Sequence, residues 1–274
     1  MPYLILNDYK KLIQTDNLAQ IIGSDYTLVT QIEQAAQTEV ASYLVQKYKT
    51  ANEFTDTTKW SYSSSYKVKN RVYLDASTYS TTSTYVLNSL VLQSGNVYIN
   101  TTPVTVAEAF NSAKWQLLGV QYTIFYALNP NEDWDYYKEY AVGDIVVYNE
   151  KKYTAVKSSV SLQPDTNAST WGAGVAYTVP ANTLPTNTTF WTLGDNRNPQ
   201  MVNCMIDVAL YHIHSRIAPH NIPDLRVKRY DDVIKWLKDC AKGDSITADL
   251  EAIQPTQGMR LRMGSVLPKQ NNSF

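Results

Sequence analysis

The sequence predicts an α+β fold in which a helical domain, built from both ends of the chain, is interrupted by a mainly antiparallel β insert. Near both ends of the 274 residues, apolar side chains repeat every three to four positions, as in amphipathic helices. Between Thr50 and Asn196 the pattern changes to Thr, Ser, Tyr, Val and Asn with period-two alternation and turn residues, which is typical of short strands. The predicted boundaries are 1–50 and 196–245 for the helical domain, 51–133 and 134–195 for two small β modules, and 246–274 for an extended C-terminal arm.

The first 50 residues predict three helices. The first short helix is expected to be capped by Asn7 or Asp8 and the second by Asp16 or Asn17, and Gly23 is placed to stop the second. Ser24 or Asp25 then begins a long helix that extends to Tyr48. Its apolar stripe consists of Val29, Ile32, Ala36, Val40, Tyr43 and Tyr48. One face of this helix must therefore be covered by other parts of the chain.

Two amphipathic helices near the C-terminal end supply that cover. Pro219 ends the first because proline lacks an N–H and crowds the preceding turn, and Pro223 suits the first turn of the second. Gly243 supplies a left-handed stop. The two stripes consist of Val202, Met205, Ile206, Ala209, Ile213 and Ile217, and of Val227, Tyr230, Ile234, Leu237 and Ala241. Together the three stripes close a core that no single helix could bury.

The β region contains an internal repeat at an offset of 74 residues. The matching pairs are Trp60 and Trp134, Tyr62 and Tyr136, Tyr66 and Tyr140, Val68 and Val142, Val72 and Val146, and Tyr79 and Tyr153. A competing frame instead sets Tyr85 and Tyr98 on Tyr140 and Tyr153. Two organisations therefore remain open, a tandem pair of small β modules or one larger β insert.

Composition excludes several functional classes. Charged residues make up 18% of the chain, against about 25% in typical soluble domains, whereas 21 Tyr and 6 Trp favour a surface with many contacts. A net charge of -1 provides no basic face that would grip nucleic acid. No N-terminal signal-like run and no stretch of about 18 apolar residues occurs, so we expect folding in a reducing cytoplasm. Cys204 and Cys240 are then expected to be buried thiols rather than a disulfide or redox pair.

Residue types that carry chemistry do not form a recognisable pattern. His212 and His214 lie about 200° apart around a helix, so they cannot ligate one metal together. Asp231 and Asp232 face different ways, which favours capping or ion-pair roles over paired acid-base work. Ser215 lies near His212 but lacks a nucleophile elbow or an oxyanion turn. With no phosphate-binding loop, dinucleotide fingerprint or zinc spacing, we expect a protein that is not an enzyme and needs no cofactor.

Four stretches of the helical ends share a known pattern. They are Met1–Tyr3, Val40–Tyr48, Asp207–Pro219 and Arg229–Gly243, and the most specific part is Arg-Tyr-Asp-Asp followed by Trp-Leu-Lys in the last stretch. These stretches resemble the head-to-tail connector (adaptor) proteins of tailed phages, including a family of Mu-like virion proteins. The resemblance covers about 125 of the 274 residues. It implies a ring, usually of twelve copies, that sits below the portal protein and bridges it to the next neck or tail component.

The C-terminal arm has an expected role only through this resemblance. Connector proteins often insert such an arm into the portal or into a neighbouring subunit. The arm residues assigned to that interface are Met259, Arg260, Leu261, Arg262, Met263 and Phe274. The first five alternate between apolar and basic side chains, as an extended strand would. About 145 further residues separate the two helical parts, and the connector family says nothing about them.

The second β copy has a resemblance of its own, carried by Trp134, Tyr140-Ala-Val-Gly-Asp144, Val146, Tyr148, Tyr153-Thr-Ala155, Pro164 and Trp171. This pattern is similar to the small aromatic-rich carbohydrate-binding modules attached to chitinases and cellulases. Those modules expose adjacent aromatics after the position of Ala155, where this chain has Val156-Lys-Ser-Ser159. Candidate contacts for a glycan or a protein are Tyr136, Tyr137, Tyr148 and Trp171. Alternatively, these rings fill the small β cores or lie between subunits of a ring.

We therefore expect a structural virion protein at the head-to-tail neck, assembled in the host cytoplasm. Its expected partners are further copies of itself, the portal protein and the next neck or tail component, with genomic DNA only passing through the channel and no membrane contact. The alternative is a glycan-binding decoration protein of the virion that acts through the β insert.

Overall fold

A computed structural model describes residues 3–23, 25–128, 131–149, 151–176, 178–217, 222–243 and 247–253. Helices account for 32% and strands for 23% of the chain, which confirms the α+β class. The helices are a 3-10 helix Leu6–Lys11, α1 Thr15–Ile22, α2 Tyr26–Leu44, α3 Thr50–Glu53, a second 3-10 helix Ser112–Lys114, α4 Pro199–Ile217 and α5 Asp224–Lys242. The strands are β1 Thr57–Lys59, β2 Tyr66–Lys67, β3 Arg71–Tyr73, β4 Leu90–Gln93, β5 Asn96–Asn100, β6 Trp115–Val120, β7 Ile124–Ala127, β8 Glu132–Asp133, β9 Glu139–Tyr140, β10 Ile145–Tyr148, β11 Lys151–Thr154, β12 Ser159–Val160, β13 Val175–Ala176, β14 Thr178–Val179 and β15 Trp191–Leu193.

Both ends of the chain contribute to one helical core. Helix α4 lies at its centre, with α1, α2 and α5 packed around it. Its buried side chains are Met201, Val202, Cys204, Met205, Ile206, Val208, Ala209, Leu210 and Ile213. A helix that is apolar on most sides is stable only when other helices surround it. Burial confirms the predicted stripe of α4 as far as Ile213; the side chain of Ile217 lies outside the described residues.

The neighbouring helices match their predicted stripes with small differences. In α2, Leu44 is buried in place of the expected Tyr43, which is partly buried. In α5, Cys240 takes the buried position expected for Ala241. Both cysteines are free and buried, as predicted.

Helix termini are fixed by local side chains and by glycine. Asp25 caps α2, because its carboxylate accepts from the backbone N–H of Thr27 at 3.0 Å and of Leu28 at 3.2 Å. Gly243 ends α5 with φ of 76°, the left-handed conformation expected at that stop. The predicted caps of the two short helices are wrong, because Asn7 and Asp8 lie within the first 3-10 helix, and Asp16 and Asn17 lie within α1. Asp8 lies inside the first helix and accepts from the N–H of Ile5 at 2.9 Å.

The β region consists of one small unit that occurs three times. Unit A comprises 57–73, 124–127 and 178–193; unit B comprises 78–120; unit C comprises 132–176. Each unit contains a Tyr whose hydroxyl accepts, at 2.7 Å, from the N–H of the residue five positions earlier. The ring of that Tyr meets a later Trp edge-on at 5.3 Å: Tyr66 with Trp191, Tyr85 with Trp115, and Tyr140 with Trp171.

The strand pairing is also shared by the three units. Each has a hairpin in which a buried Val pairs with an aromatic residue: Val72 with Phe125, Val91 with Tyr98, and Val146 with Tyr153. In each unit a short segment also pairs in parallel with the first strand of the hairpin. This segment is β1 in unit A, Thr78 in unit B and β8 in unit C. Unit B interrupts unit A between β3 and β7, and unit C interrupts it between β7 and β14. The insert is therefore nested rather than tandem.

This arrangement corrects the predicted module boundaries. Trp191–Leu193 pairs with β7 of unit A, so the core of unit C closes by residue 176 rather than at 195. The 74-residue offset is correct for Trp60, Tyr66 and Val72. The competing frame, which aligns Tyr85 and Tyr98 with Tyr140 and Tyr153, is also correct. Tyr85 and Tyr98 belong to unit B, which is a third copy of the same unit.

The units differ in how they bury their cores. The sheet of unit B lies over unit A, and Val97, Ile99 and Leu118 join the core of unit A. The opposite face of unit B has a separate aromatic cluster around Trp115. Unit C has a minimal core of its own, consisting of Tyr140, Val146, Tyr153, Ala155 and Trp171.

Candidate interaction surfaces

The Arg229-Tyr230 pair of the connector-like motif fastens helix α5 to its neighbours. The guanidinium of Arg229 lies 3.5 Å from the carboxylate of Asp207 on α4, and Arg226 lies 3.9 Å from the same oxygen. Burial raises the pKa of Asp207, while the two arginines oppose that rise. The next two residues of the motif, Asp231 and Asp232, are exposed. Arg229 and Tyr230 thus hold the helices together, whereas Asp231 and Asp232 face outward. Later in the motif, Leu237 is buried in the helical core.

A polar network connects the same motif to α2. Tyr230 donates to one oxygen of Glu39 at 2.6 Å, and Nε2 of His212 lies 2.7 Å from the other. The rings of Tyr211 and Tyr230 stack at 4.1 Å. Burial, and then the hydrogen-bonded carboxylate of Glu39, raise the pKa of Tyr230. His214 is turned away, with Nδ1 2.7 Å from the carbonyl of Leu210. The histidines therefore have structural partners and do not share a ligand position.

A buried charge cluster lies where the chain returns from the β region to the helical domain. Arg197 binds the carboxylate of Asp8 through Nη1 at 2.7 Å and Nη2 at 3.1 Å, and its Nε lies 2.9 Å from Asp195. Its Nη1 also donates to the carbonyl of Tyr3 at 2.9 Å. Although burial alone would lower it, hydrogen bonds to Asp195 and Asp8 raise the pKa of Arg197. This guanidinium joins the N-terminal segment to the start of α4.

A second buried arginine joins unit A to the helical domain. Arg71 of β3 donates to the carbonyls of Glu53 at 2.8 Å and Thr55 at 2.9 Å, and to the side chain of Asn196 at 2.6 Å. The hydroxyl of Tyr3 donates to Glu53, and both arginines lie against the ring of Tyr3. Sequence reasoning missed this junction. Period-two alternation from Val72 would place Arg71 on the opposite face of the strand, so the sequence carried no local signal for its burial.

The start of the C-terminal arm is fixed at the same junction. The N–H of Lys49 donates to the carbonyl of Glu251, and the N–H of Ile253 donates to the carbonyl of Lys47, each at 2.8 Å. Asn198 also holds the carbonyl of Asp249 at 2.7 Å. The arm residues predicted to contact a portal or subunit, Met259, Arg260, Leu261, Arg262, Met263 and Phe274, lie outside the described residues. The arm therefore leaves from the C-terminal end of α2.

The aromatic residues predicted as contacts in unit C differ in their exposure. Trp171 is a core residue with 0% exposure, and its Nε1 donates to the carbonyl of Leu162 at 2.8 Å. The prediction that it contacts a ligand is therefore wrong, because the small core of unit C needs its ring. Tyr148 is half-buried against Trp134, with its hydroxyl bound by Gln163.

Two of these aromatics are exposed. Tyr136 is 53% and Tyr137 79% exposed, and their rings meet at 5.2 Å with planes 83° apart. Perpendicular rings do not make the flat platform that stacks on consecutive sugars. Either ring alone offers one face to a sugar or to a protein.

No group of three His, Cys, Asp or Glu side chains in the described ranges is arranged to hold a metal ion. Likewise, no helix there is long and apolar enough to cross a membrane. Comparison with protein-family models and with curated proteins gives no match.

Proposed function

We propose that this chain is a structural phage virion protein that forms a ring at the head-to-tail neck, below the portal. One observation carries the proposal. The segments that resemble connector proteins converge in a single helical core, and the Arg229-Tyr230 pair of the most specific motif fastens that core. The β units bury their apolar side chains in clusters separate from this helical core.

The junction supports a mechanical role for the insert. Arg71 and Arg197 are both nearly fully buried; Arg71 connects unit A to Glu53, Thr55 and Asn196, and Arg197 connects the N-terminal segment to the start of α4. Such satisfied charges hold one orientation, because any displacement leaves a buried charge unpaired. In the proposed ring, the insert therefore extends from the neck as a rigid projection towards a neighbouring component.

The charge of the chain supports a ring through which DNA passes without being bound. The exposed residues of α2 are Thr27, Thr30, Gln31, Gln34, Ala35, Thr38 and Ser42. Phosphate binding requires Lys and Arg, and this face has neither. With a net charge of -1, the proposed ring lets genomic DNA pass without gripping it. Retention of DNA in the head then depends on the arm docking into the portal or a neighbouring subunit.

The test is assembly of the full-length chain. We expect ring-shaped particles by negative-stain microscopy, alone or after mixing with the portal protein of the same virus, and antibody label at the neck of intact virions. Multiplying one weak interface around a closed ring makes assembly strong without any strong single contact. A chain that stays monomeric at high concentration, fails to bind portal and is missing from the neck would rule out the connector role.

A second candidate is supported by Tyr136 and Tyr137. Their exposure makes a glycan-binding decoration role through unit C the alternative. Binding of the full chain to a glycan array, lost in Tyr136→Ala and retained in Tyr62→Ala, would support it. Tyr62 is the matched control because it occupies the equivalent position in unit A, packed edge-on to Trp60 as Tyr136 is to Trp134. No retention on any glycan removes this candidate.

A further inference from the structure

A pocket of about 450 Å³ opens at the junction between the helical domain and unit A. Its walls come from α3, β3, β7 and residues 249–251. The charged side chains of the lining are Lys49, Glu53, Lys69, Arg71, Asp249 and Glu251. Three of these side chains are basic and three are acidic, so the partners that each already has decide what the pocket can bind.

Arg71 is the buried charge of this pocket, and it lacks a counter-ion. It is 2% exposed, and its Nε and Nη1 donate only to neutral acceptors, the side chain of Asn196 and the carbonyls of Glu53 and Thr55. These bonds fix its orientation, but among the described residues no carboxylate lies within 4.0 Å of the guanidinium. Its third nitrogen, Nη2, has no hydrogen-bond partner there either. Because a buried charge is costly unless it is paired, an anion at Nη2 would stabilise this arginine.

The acidic side chains of the pocket do not neutralise Arg71. The carboxylate of Glu53 accepts from the hydroxyl of Tyr3, and the carboxylate of Glu251 is bound by Lys49. Burial lowers the pKa of Arg71, and Glu53 opposes this only through space. The exposed side chain of Asp249 has no partner in the described ranges. The pocket therefore contains a buried positive charge whose neutralisation is left to a ligand.

Lys69 supplies a second positive charge at the edge of the pocket. Its side chain is 56% exposed and lies 3.5 Å from the carboxylate of Asp133, which is itself 62% exposed. Water screens an exposed ion pair of this kind, so the pair is weak. Lys69 is therefore free to turn towards an anion that binds Arg71.

We propose that the junction pocket binds a carboxylate group, with Nη2 of Arg71 as its buried donor and Lys69 as the second cation. A carboxylate carries one negative charge, whereas a phosphate carries between one and two at neutral pH. Asp249 and Glu53 repel the larger charge more strongly, so they favour the carboxylate. A free small-molecule carboxylate and an acidic side chain of a neighbouring protein both supply this chemistry. The site belongs to the folded chain alone, so it is independent of the connector role.

Titration of the full-length chain with sodium acetate tests this site. The Nε–H of Arg71 donates to the side chain of Asn196 at 2.6 Å, so its NMR signal is protected from exchange and reports on the guanidinium. At constant ionic strength, acetate should shift this signal saturably and chloride should not, while phosphate should bind several-fold more weakly than acetate. A blocked tripeptide with a central glutamate separates the two sources. Tighter binding than acetate assigns the site to a protein side chain, and weaker binding assigns it to a free carboxylate.

Two variants at the edge of the pocket sharpen the test without removing the buried charge. Asp249→Asn removes a nearby negative charge, so it should tighten acetate binding several-fold. Lys69→Ala should weaken acetate binding several-fold, because it removes the second cation. Lys138→Ala is the matched control, since Lys138 forms a comparable exposed ion pair with Glu132 in unit C, and it should leave the affinity unchanged.

Three results would overturn the proposal. The first is the absence of a saturable shift of the Arg71 signal at high acetate concentration. The second is an equal effect of acetate and chloride, which would show that the signal responds only to ionic screening. The third is an affinity that stays unchanged in both Asp249→Asn and Lys69→Ala, because acetate would then bind outside this pocket.

Discussion

The guanidinium of Arg197 and the carboxylate of Asp8 form a buried two-point ion pair between residues 189 positions apart. This pair fixes the N-terminal segment to the start of α4, at the place where the β insert leaves and re-enters the helical domain. Because Arg197 also binds Asp195 and the carbonyl of Tyr3, one side chain joins the N-terminal segment to the residues that lead into α4.

We expect Arg197→Met to lower the free energy of unfolding by about 3–5 kcal/mol, since it leaves Asp8 buried without its partner. Urea titration followed by tryptophan fluorescence measures the loss. Lys242→Met is the matched control, because Lys242 forms an exposed ion pair with Asp239 at 3.9 Å, and should cost under about 1 kcal/mol. Equal losses in the two variants would show that the buried pair does not hold the junction.

The separation of 189 positions between Asp8 and Arg197 also explains why the sequence did not predict their contact. Helical stripes such as Val29 to Val40 follow from local periodicity, and burial confirms them. Nothing local relates Asp8 to Arg197, because their contact depends on how the helical core closes. The third β unit was hidden for a similar reason: Tyr79 stands where the other units have Trp60 and Trp134. The two strands of the unit A hairpin also lie far apart in the chain, since unit B separates them.

The buried carboxyl group of Glu33 should make the free energy of unfolding fall as the pH rises. It is 5% exposed on α2 and accepts from the hydroxyl of Tyr9 at 2.8 Å. Burial raises its pKa from 4.5 to about 7, opposed by the bond from Tyr9. The folded chain therefore keeps a proton that the unfolded chain releases. This contribution is fully present below pH 4.5 and is lost as the pH rises through 7.

The size of the loss is up to about 3 kcal/mol, because one pKa unit corresponds to about 1.4 kcal/mol. Glu33→Gln should remove this pH dependence and make the protein more stable than the native chain at pH 8. Thermal unfolding at pH 5, 6, 7 and 8 checks the slope. Glu139→Gln, which removes an exposed carboxylate from unit C, should leave the native slope in place. An unchanged slope in Glu33→Gln would contradict the assignment.

The hydroxyl of Tyr140 tests whether each β unit depends on its own tyrosine. Tyr140→Phe leaves the N–H of Asp135 without the acceptor it has at 2.7 Å, so we expect a local loss of about 1–2 kcal/mol. Hydrogen exchange should become faster in residues 132–176 and stay unchanged in the helical domain. Tyr137→Phe is the control, because this ring is exposed. Faster exchange across the whole chain would show that unit C does not open separately.

Two glycines of unit C, Gly172 and Gly174, offer the sharpest comparison, because they lie two positions apart but differ in how close they come to the ring of Tyr153. A methyl group added at Gly174 would lie 2.5 Å from the ring of Tyr153, whereas one at Gly172 would meet its nearest atom at 3.5 Å, in ordinary contact. The ring of Tyr153 is buried in the core of unit C, so it cannot move aside freely. Gly174→Ala should therefore destabilise unit C by about 1–3 kcal/mol, and Gly172→Ala should change its stability by under about 0.5 kcal/mol. Hydrogen exchange of residues 145–154 measures both. If Gly174→Ala exchanges no faster than Gly172→Ala, the aromatic core of unit C is looser than its packing indicates, and it would not hold Tyr136 and Tyr137 in one orientation for a partner.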